Sequence, residues 1–279
     1  MIWKRFLPLI FVGVLFGCIQ TVPLRNLAGS PAGTTIQFFY ESQGGKAEAY
    51  LIRPEGSGPF PLMVLLHGDS LVRAGAQRVI PVAEQFSREL CYASLAISLP
   101  GYGSTEIGGD SDRNIIAGVV LDGIAQVHEL PWIDKGVMLY GFSRGAVFAA
   151  TLADKIHSLR GVILHSGAYD LTRLYKDTSA QWVRKSLNPN GESNPYLFNI
   201  LPEVPHWTAP TLILHGGKDQ LIPTNQALLL RDRLEALGKP FRFAIFPEAG
   251  HRLPADGVKE EVFSFLTQNV GSACRTNGP

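Results

Sequence analysis

The chain has 279 residues, 46% of them hydrophobic and 18% charged, which supplies a large core and excludes an intrinsically disordered protein. Its 25 basic and 24 acidic residues leave a formal net charge of +1 with no long basic run, so nucleic acid is not an expected partner. The length suits one large α/β domain or two small ones.

Lys4 and Arg5 precede an apolar stretch, residues 6–17. About a dozen apolar residues make a signal-type core and fall short of the ~20 a spanning helix needs. That stretch ends in Leu15-Phe16-Gly17-Cys18. A small residue before a cysteine at this point resembles the bacterial lipoprotein signal. The resemblance implies removal of residues 1–17, lipidation of Cys18, a tether over 18–33 and attachment to a membrane in the bacterial cell envelope. An ordinary secretory signal, giving a soluble periplasmic or secreted protein, and an uncleaved anchor are the alternatives. Cys91 and Cys274 remain. They either pair in an oxidising compartment or stand as one buried thiol and one tail thiol. No CxxC or His/Cys cluster occurs, so no metal is indicated, and no cofactor is expected.

From residue 35 onward, short apolar runs alternate with helical patterns. Residues 35–40 and 47–53 read as two antiparallel strands around Gly44-Gly45. The unbroken run 62–66 reads as a strand buried on both faces. A helix is predicted over 79–90, a strand over 93–97, a helix over 112–130, a strand over 136–140 and an Ala-rich helix over 143–156. Strands at 161–164, 211–214 and 242–246 and helices at 225–237 and 257–270 follow. This alternation predicts parallel strands with right-handed crossovers and helices on both faces. Reactive groups then collect beyond the carboxyl ends of the strands. Residues 170–210 break the rhythm and read as a short cap, about 171–208. The domain runs over 34–271 and leaves a tail at 272–279.

Gly141-Phe142-Ser143-Arg144-Gly145 is a G-x-S-x-G sequence fed by an apolar strand and followed by a helix. This is the strand-turn-helix of a nucleophile elbow, in which the serine occupies a strained turn and flanking glycines relieve crowding. Serine needs a base, and the base needs an orienting acid. His67, His165 and His215 directly follow strands and read as hydrogen-bonding posts, while His128, His157 and His206 fall on helices or in the insertion. His251, in a loop before the final helix, is the candidate base. Asp219, after a strand and a Gly-rich turn, is the candidate acid; Asp170 is its rival and reads instead as a cap to the insertion. The N–H groups of Arg144 and Asp69 are the candidate oxyanion donors. The Asp69 carboxylate is expected to point away from that oxyanion, and the Arg144 guanidinium either reaches the pocket rim or lies exposed. Tyr102, Trp182, Tyr196 and Trp207 are candidate pocket residues; the alternative for insertion aromatics is a private core.

Five stretches carry a family resemblance: Leu66-His67-Gly68; Pro100-Gly101-Tyr102-Gly103-Ser104; the G-x-S-x-G; Leu214-His215-Gly216-Gly217-Lys218-Asp219 with Ile222-Pro223; and Gly250-His251. Together they resemble α/β-hydrolases similar to dienelactone hydrolases and to the catalytic domain of prolyl oligopeptidases, and Pro195-Tyr196 ahead of Ala209-Pro210 is similar to the peptidase branch. The resemblance implies a serine hydrolase with residues in the order Ser, Asp, His. No β-propeller precedes the domain, Leu99 stands where many relatives carry aspartate, and serine replaces the dienelactone cysteine. Hydrolysis of carboxylic esters through an acyl-enzyme at Ser143 is therefore the leading expectation. Cleavage of short peptides or amides is the second, and a non-catalytic lipoprotein using the scaffold for binding is the third.

Overall fold

The computed structural model describes residues 20–109, 112–188 and 197–269. Cys18, Tyr196, Cys274 and the 272–279 tail lie outside the described residues. Among the described residues the nine strands are β1 (Gln20–Thr21), β2 (Thr35–Ser42), β3 (Gly45–Ile52), β4 (Phe60–Leu66), β5 (Ala93–Ile97), β6 (Ile133–Phe142), β7 (Leu159–His165), β8 (Thr211–Gly216) and β9 (Phe241–Phe246). They form one sheet in the order β1-β2-β3-β5-β4-β6-β7-β8-β9. β3 is antiparallel to β2 and β5, and the other pairs are parallel. This is the mostly parallel sheet that the alternating pattern predicts, in the α/β-hydrolase arrangement that the resemblance implies.

The central strands are apolar throughout because helices cover both faces. Along β4 the side chains alternate: Leu62, Val64 and Leu66 enter one core layer, and Met63 and Leu65 the other. The first layer packs under α2 (Arg113–His128), α3 (Arg144–Leu152) and α6 (Asn225–Ala236); the second packs under α1 (Ile80–Leu90) and α7 (Ala255–Asn269). Asp112 starts α2 as its side chain accepts from the N–H groups of Asn114 and Ile115. α3 stops at Leu152, four residues before its expected end. Among the described residues no helix is long and apolar enough to cross a membrane.

Two expectations need correction. The described part of the 18–33 segment is packed rather than a loose tether. β1 pairs with β2, a 3-10 turn follows over Leu24–Gly29, and Leu27 is buried against the core. The Ser30 carbonyl also accepts from the Arg53 guanidinium at 2.9 Å. Cys91 is disulfide-bonded, which excludes its reading as a buried thiol.

The insertion is more regular than its composition suggested. It holds α4 (Leu171–Asp177), α5 (Gln181–Leu187) and a 3-10 turn over Leu201–His206. Its root is fixed by Gln226, a fully buried side chain of α6 whose Oε1 accepts from the N–H groups of Tyr169 and Asp170 at 2.9 and 3.0 Å.

Candidate active site

Ser143 lies between the end of β6 and the start of α3 with φ 54° and ψ −116°. Such a conformation costs of order 1–3 kcal/mol and persists only where surroundings enforce it. Here the Ser143 N–H donates to the His165 carbonyl of β7 at 2.8 Å, so the sheet ladder continues through the turn. Close backbone approach enforces the rest. A Cβ on Gly145 would stand 2.0 Å from the Leu66 carbonyl oxygen, and one on Gly141 would stand 2.4 Å from the Gly145 oxygen. Glycines in the G-x-S-x-G therefore let β4, β6 and α3 meet with the serine raised at their junction.

His251 follows β9, and its Nε2 is 2.9 Å from Ser143 Oγ. Its Nδ1 is 2.8 Å from Asp219 Oδ2. Asp219 follows β8, and its side chain is fully buried. Its Oδ1 accepts from the N–H groups of Leu221 and Ile222 at 2.9 and 3.0 Å, leaving Oδ2 to the imidazole. A carboxylate on Nδ1 keeps the proton there, so Nε2 presents its lone pair to the serine hydroxyl. Three side chains separated by up to 108 residues thus form one hydrogen-bonded line across the sheet rim. Asp170, the rival acid, instead caps α4 by accepting from the Arg173 N–H at 2.9 Å.

The three post histidines are buried and neutral for stated reasons. Burial lowers His67 to about 4, its largest cause, and His165 to about 3 for the same reason. His215 is also lowered chiefly by burial. His215 Nε2 donates to the Ile222 carbonyl at 2.8 Å and so braces the turn that carries Asp219. Tyr140 hydroxyl and His165 Nδ1 are 2.8 Å apart beneath the elbow. His67 Nδ1 donates to the Gly68 carbonyl, and its Nε2 accepts from the Leu99 N–H at 3.1 Å.

The loop 67–69 reaches the nucleophile closely: a Cβ on Gly68 would meet the Ser143 Cβ at 3.2 Å. The Asp69 Oδ1 accepts from the Tyr102 hydroxyl at 2.6 Å and from the Ser70 N–H at 2.7 Å. Arg144 opens α3, where backbone N–H groups point out of the helix and favour negative charge. Its guanidinium carbon lies 5.8 Å from the Tyr102 ring centre and 5.3 Å from that of Phe148.

Ser143 and His251 open onto a narrow cleft of about 90 Å³. α3 supplies Val147 and Phe148, the cap supplies Leu171, Leu174, Trp182, Val183 and Leu187, and the turn after Asp219 supplies Leu221 and Ile222. Trp182 therefore lines the cleft, as do Asp69 and Arg144. Trp207 does not: it is 1% exposed and packed in the core, because the 3-10 turn before it directs it inward. Tyr102 also lies outside the cleft lining; it is buried beneath Asp69, and burial raises its phenol to about 12. Tyr196 lies outside the described residues. The aliphatic lining was missed by the sequence reading, although Leu171/Leu174 and Val183/Leu187 are spaced three and four apart, as one helix face requires. Among the described residues no group of three His, Cys, Asp or Glu side chains is placed to hold a metal.

A match to the prolyl oligopeptidase family of S9 peptidases spans residues 120–272. The chain belongs to that family. This prolyl oligopeptidase-family chain is 21% identical over 255 residues to dipeptidyl-peptidase 5 of Schizosaccharomyces pombe, covering 83% of this chain and 36% of the relative. It thus spans about a third of the length of the curated relatives it matches. The acylaminoacyl peptidase of Pyrococcus horikoshii superposes with a TM-score of 0.70 at 17% identity, covering 88% of this chain and 43% of that one. An esterase of Pyrococcus furiosus superposes with a TM-score of 0.68 at 16% identity, covering 85% and 92%. The prolyl oligopeptidase-family chain therefore has the α/β-hydrolase fold, which it shares with that peptidase and that esterase.

Proposed function

We propose that the chain hydrolyses carboxylic esters carrying an apolar group, through an acyl-enzyme at Ser143. The supporting observation is the Ser143–His251–Asp219 line, at 2.9 and 2.8 Å, opening onto an aliphatic cleft. His251 Nε2 takes the Oγ proton as Oγ attacks the ester carbonyl, and returns it to the departing alkoxide oxygen. Asp219 holds the imidazole tautomer and stabilises the imidazolium. The N–H groups of Asp69 and Arg144 receive the oxyanion, an arrangement worth a few kcal/mol per donor. Water then attacks the acyl-enzyme by the same proton route.

A second reading is cleavage of short peptides or amides. The dipeptidyl-peptidase 5 relatives favour it. Against it, Asp69 is the single carboxylate among the described cleft-lining residues, and it is already engaged by Tyr102 and Ser70. No acidic pair in the described cap awaits a peptide amine. A fluorophosphonate probe is expected to label Ser143, and failure to label the folded protein ends both readings. Parallel assays on aryl esters and aminoacyl amides separate them: ester turnover exceeding amide turnover by far supports the first, and the reverse supports the second.

We also propose export and lipid anchoring at Cys18. The signal-like sequence before Cys18 supports this, and the disulfide at Cys91 suits an oxidising compartment. Labelled fatty acid incorporated by the natural chain and not by Cys18→Ser is the expected result; equal labelling of both rejects it.

A further inference from the structure

β3 carries a carboxylate where nothing apolar would be out of place. Glu48 is 2% exposed, and Ala47, Ala49, Tyr50, Leu51 and Ile52 around it are all core. A buried carboxylate costs several kcal/mol in lost hydration unless its oxygens are satisfied. Both are. Oε1 accepts from Gln37 Nε2 at 2.6 Å and from the Tyr50 hydroxyl at 3.0 Å. Oε2 accepts from the Ser98 hydroxyl at 2.6 Å and from the Ser104 N–H at 3.1 Å. Ser98 Oγ in turn accepts from the Ala76 N–H at 2.8 Å. One carboxylate therefore knits residues 74–78 to residues 98–104.

Those two segments hold the loop 67–69 beside Ser143. From the first, Arg78 donates to the Gly68 and Asp69 carbonyls at 3.1 and 2.5 Å. From the second, the Leu99 N–H donates to His67 Nε2 at 3.1 Å, and the Tyr102 hydroxyl donates to Asp69 Oδ1 at 2.6 Å. The Gly103 N–H also donates to the Arg73 carbonyl at 2.8 Å, linking the segments to the loop's far end. These four clamps on His67, Gly68 and Asp69 are thus carried by segments bonded to Glu48 directly or through Ser98. Fold stability alone does not call for the carboxylate, since replacing a buried charge together with its partners by well-packed apolar groups is often neutral or stabilising. We infer that Glu48 is a positioning residue that sets where the Asp69 N–H points, and so how well it receives the oxyanion.

This inference rests on the acyl-transfer reading, so the natural chain is measured first: no Ser143 labelling and no hydrolysis would reject that reading before any variant is made. Glu48→Gln and Glu48→Met are then compared with it in the full chain. Expected are folded variants whose kcat falls ~10–100-fold, the scale of a misplaced catalytic group, with KM moved by less than ~3-fold. Affinity for a trifluoromethyl ketone, whose serine adduct carries an oxyanion, should fall by the same factor as kcat. The pH profile of kcat should keep its shape, because His251 and Asp219 are untouched. A folded variant with kcat and ketone affinity close to the natural chain overturns the proposal, as does a kcat loss without a matching loss of ketone affinity. Should neither Glu48 variant fold, Ser98→Ala and Arg78→Met undergo the same two measurements and are judged by the same outcomes.

Discussion

The rim beyond β6, β8 and β9 and the cap of α4 and α5 face the same cleft but are held by different forces. At the rim, backbone meets backbone at distances that leave no room for a Cβ, and both carboxylate oxygens of Asp219 have partners. The cap rests on a few side chains: Leu171, Leu174 and Val183 are buried, worth ~1.5–3 kcal/mol each. Bonds to the body add to this, among them Thr178 Oγ1 to the Leu221 carbonyl at 3.0 Å and Asn225 Nδ2 to Asp177 Oδ2 at 2.6 Å. In the proposed reaction the two regions divide the labour: the rim fixes the chemistry and tolerates little, whereas the cap shapes what enters and can be altered without unmaking the fold.

The sharpest break between the two regions is Ser143→Ala. Hydrolysis should fall by ~10⁴–10⁶-fold with the melting temperature almost unchanged, read by ester turnover and thermal melting. Asp219→Asn comes next. An amide keeps an oxygen for Leu221 and Ile222 but offers His251 the wrong partner, so kcat should drop by ~10³–10⁴-fold while the fold persists. On the cap side, Val183→Phe should fill the cleft. Turnover of long-chain esters is expected to fall ~10–100-fold and that of acetate esters by less than ~3-fold, seen in a chain-length series.

The last effect acts on stability rather than turnover and concerns pH. His67 and His165 titrate near 4 and 3 in the folded chain against an ordinary 6.5, chiefly through burial. Above pH 6.5 both are neutral whether folded or unfolded. Below it the unfolded chain binds protons that the native chain refuses, so stability falls with pH, by up to about 1.4 kcal/mol per pH unit for each histidine. Urea midpoints between pH 6.5 and 4.5 should follow this slope, and His165→Asn should reduce it by about one proton.

The strands and the triad were legible because each signal was local and had one physical reading. The run 62–66 had to be buried on both faces, and glycines two either side of Ser143 had to admit a crossing backbone. Asp219 and His251 followed from chain order and strand ends. β1 was illegible because two residues carry no period. The cap helices were obscured because each is seven residues long, too short to reveal a full face. Trp207 misled because an aromatic in an insertion can face either the cleft or the core, and only the turn before it decides. Glu48 left one trace, a charge inside an otherwise apolar strand, and its partners lie up to 56 residues away.

The placement of β1 has a practical corollary. Gln20 enters at one margin of the sheet, five strand spacings from β6, or roughly 24 Å at ~4.8 Å per spacing. Anything joined ahead of Gln20 is hitched to the flank of the molecule. β1 runs parallel to β6, so Gln20 also lies toward the amino ends of the strands, away from the end that carries Ser143, and protein immobilised on a bead there should turn over large substrates as readily as protein in solution.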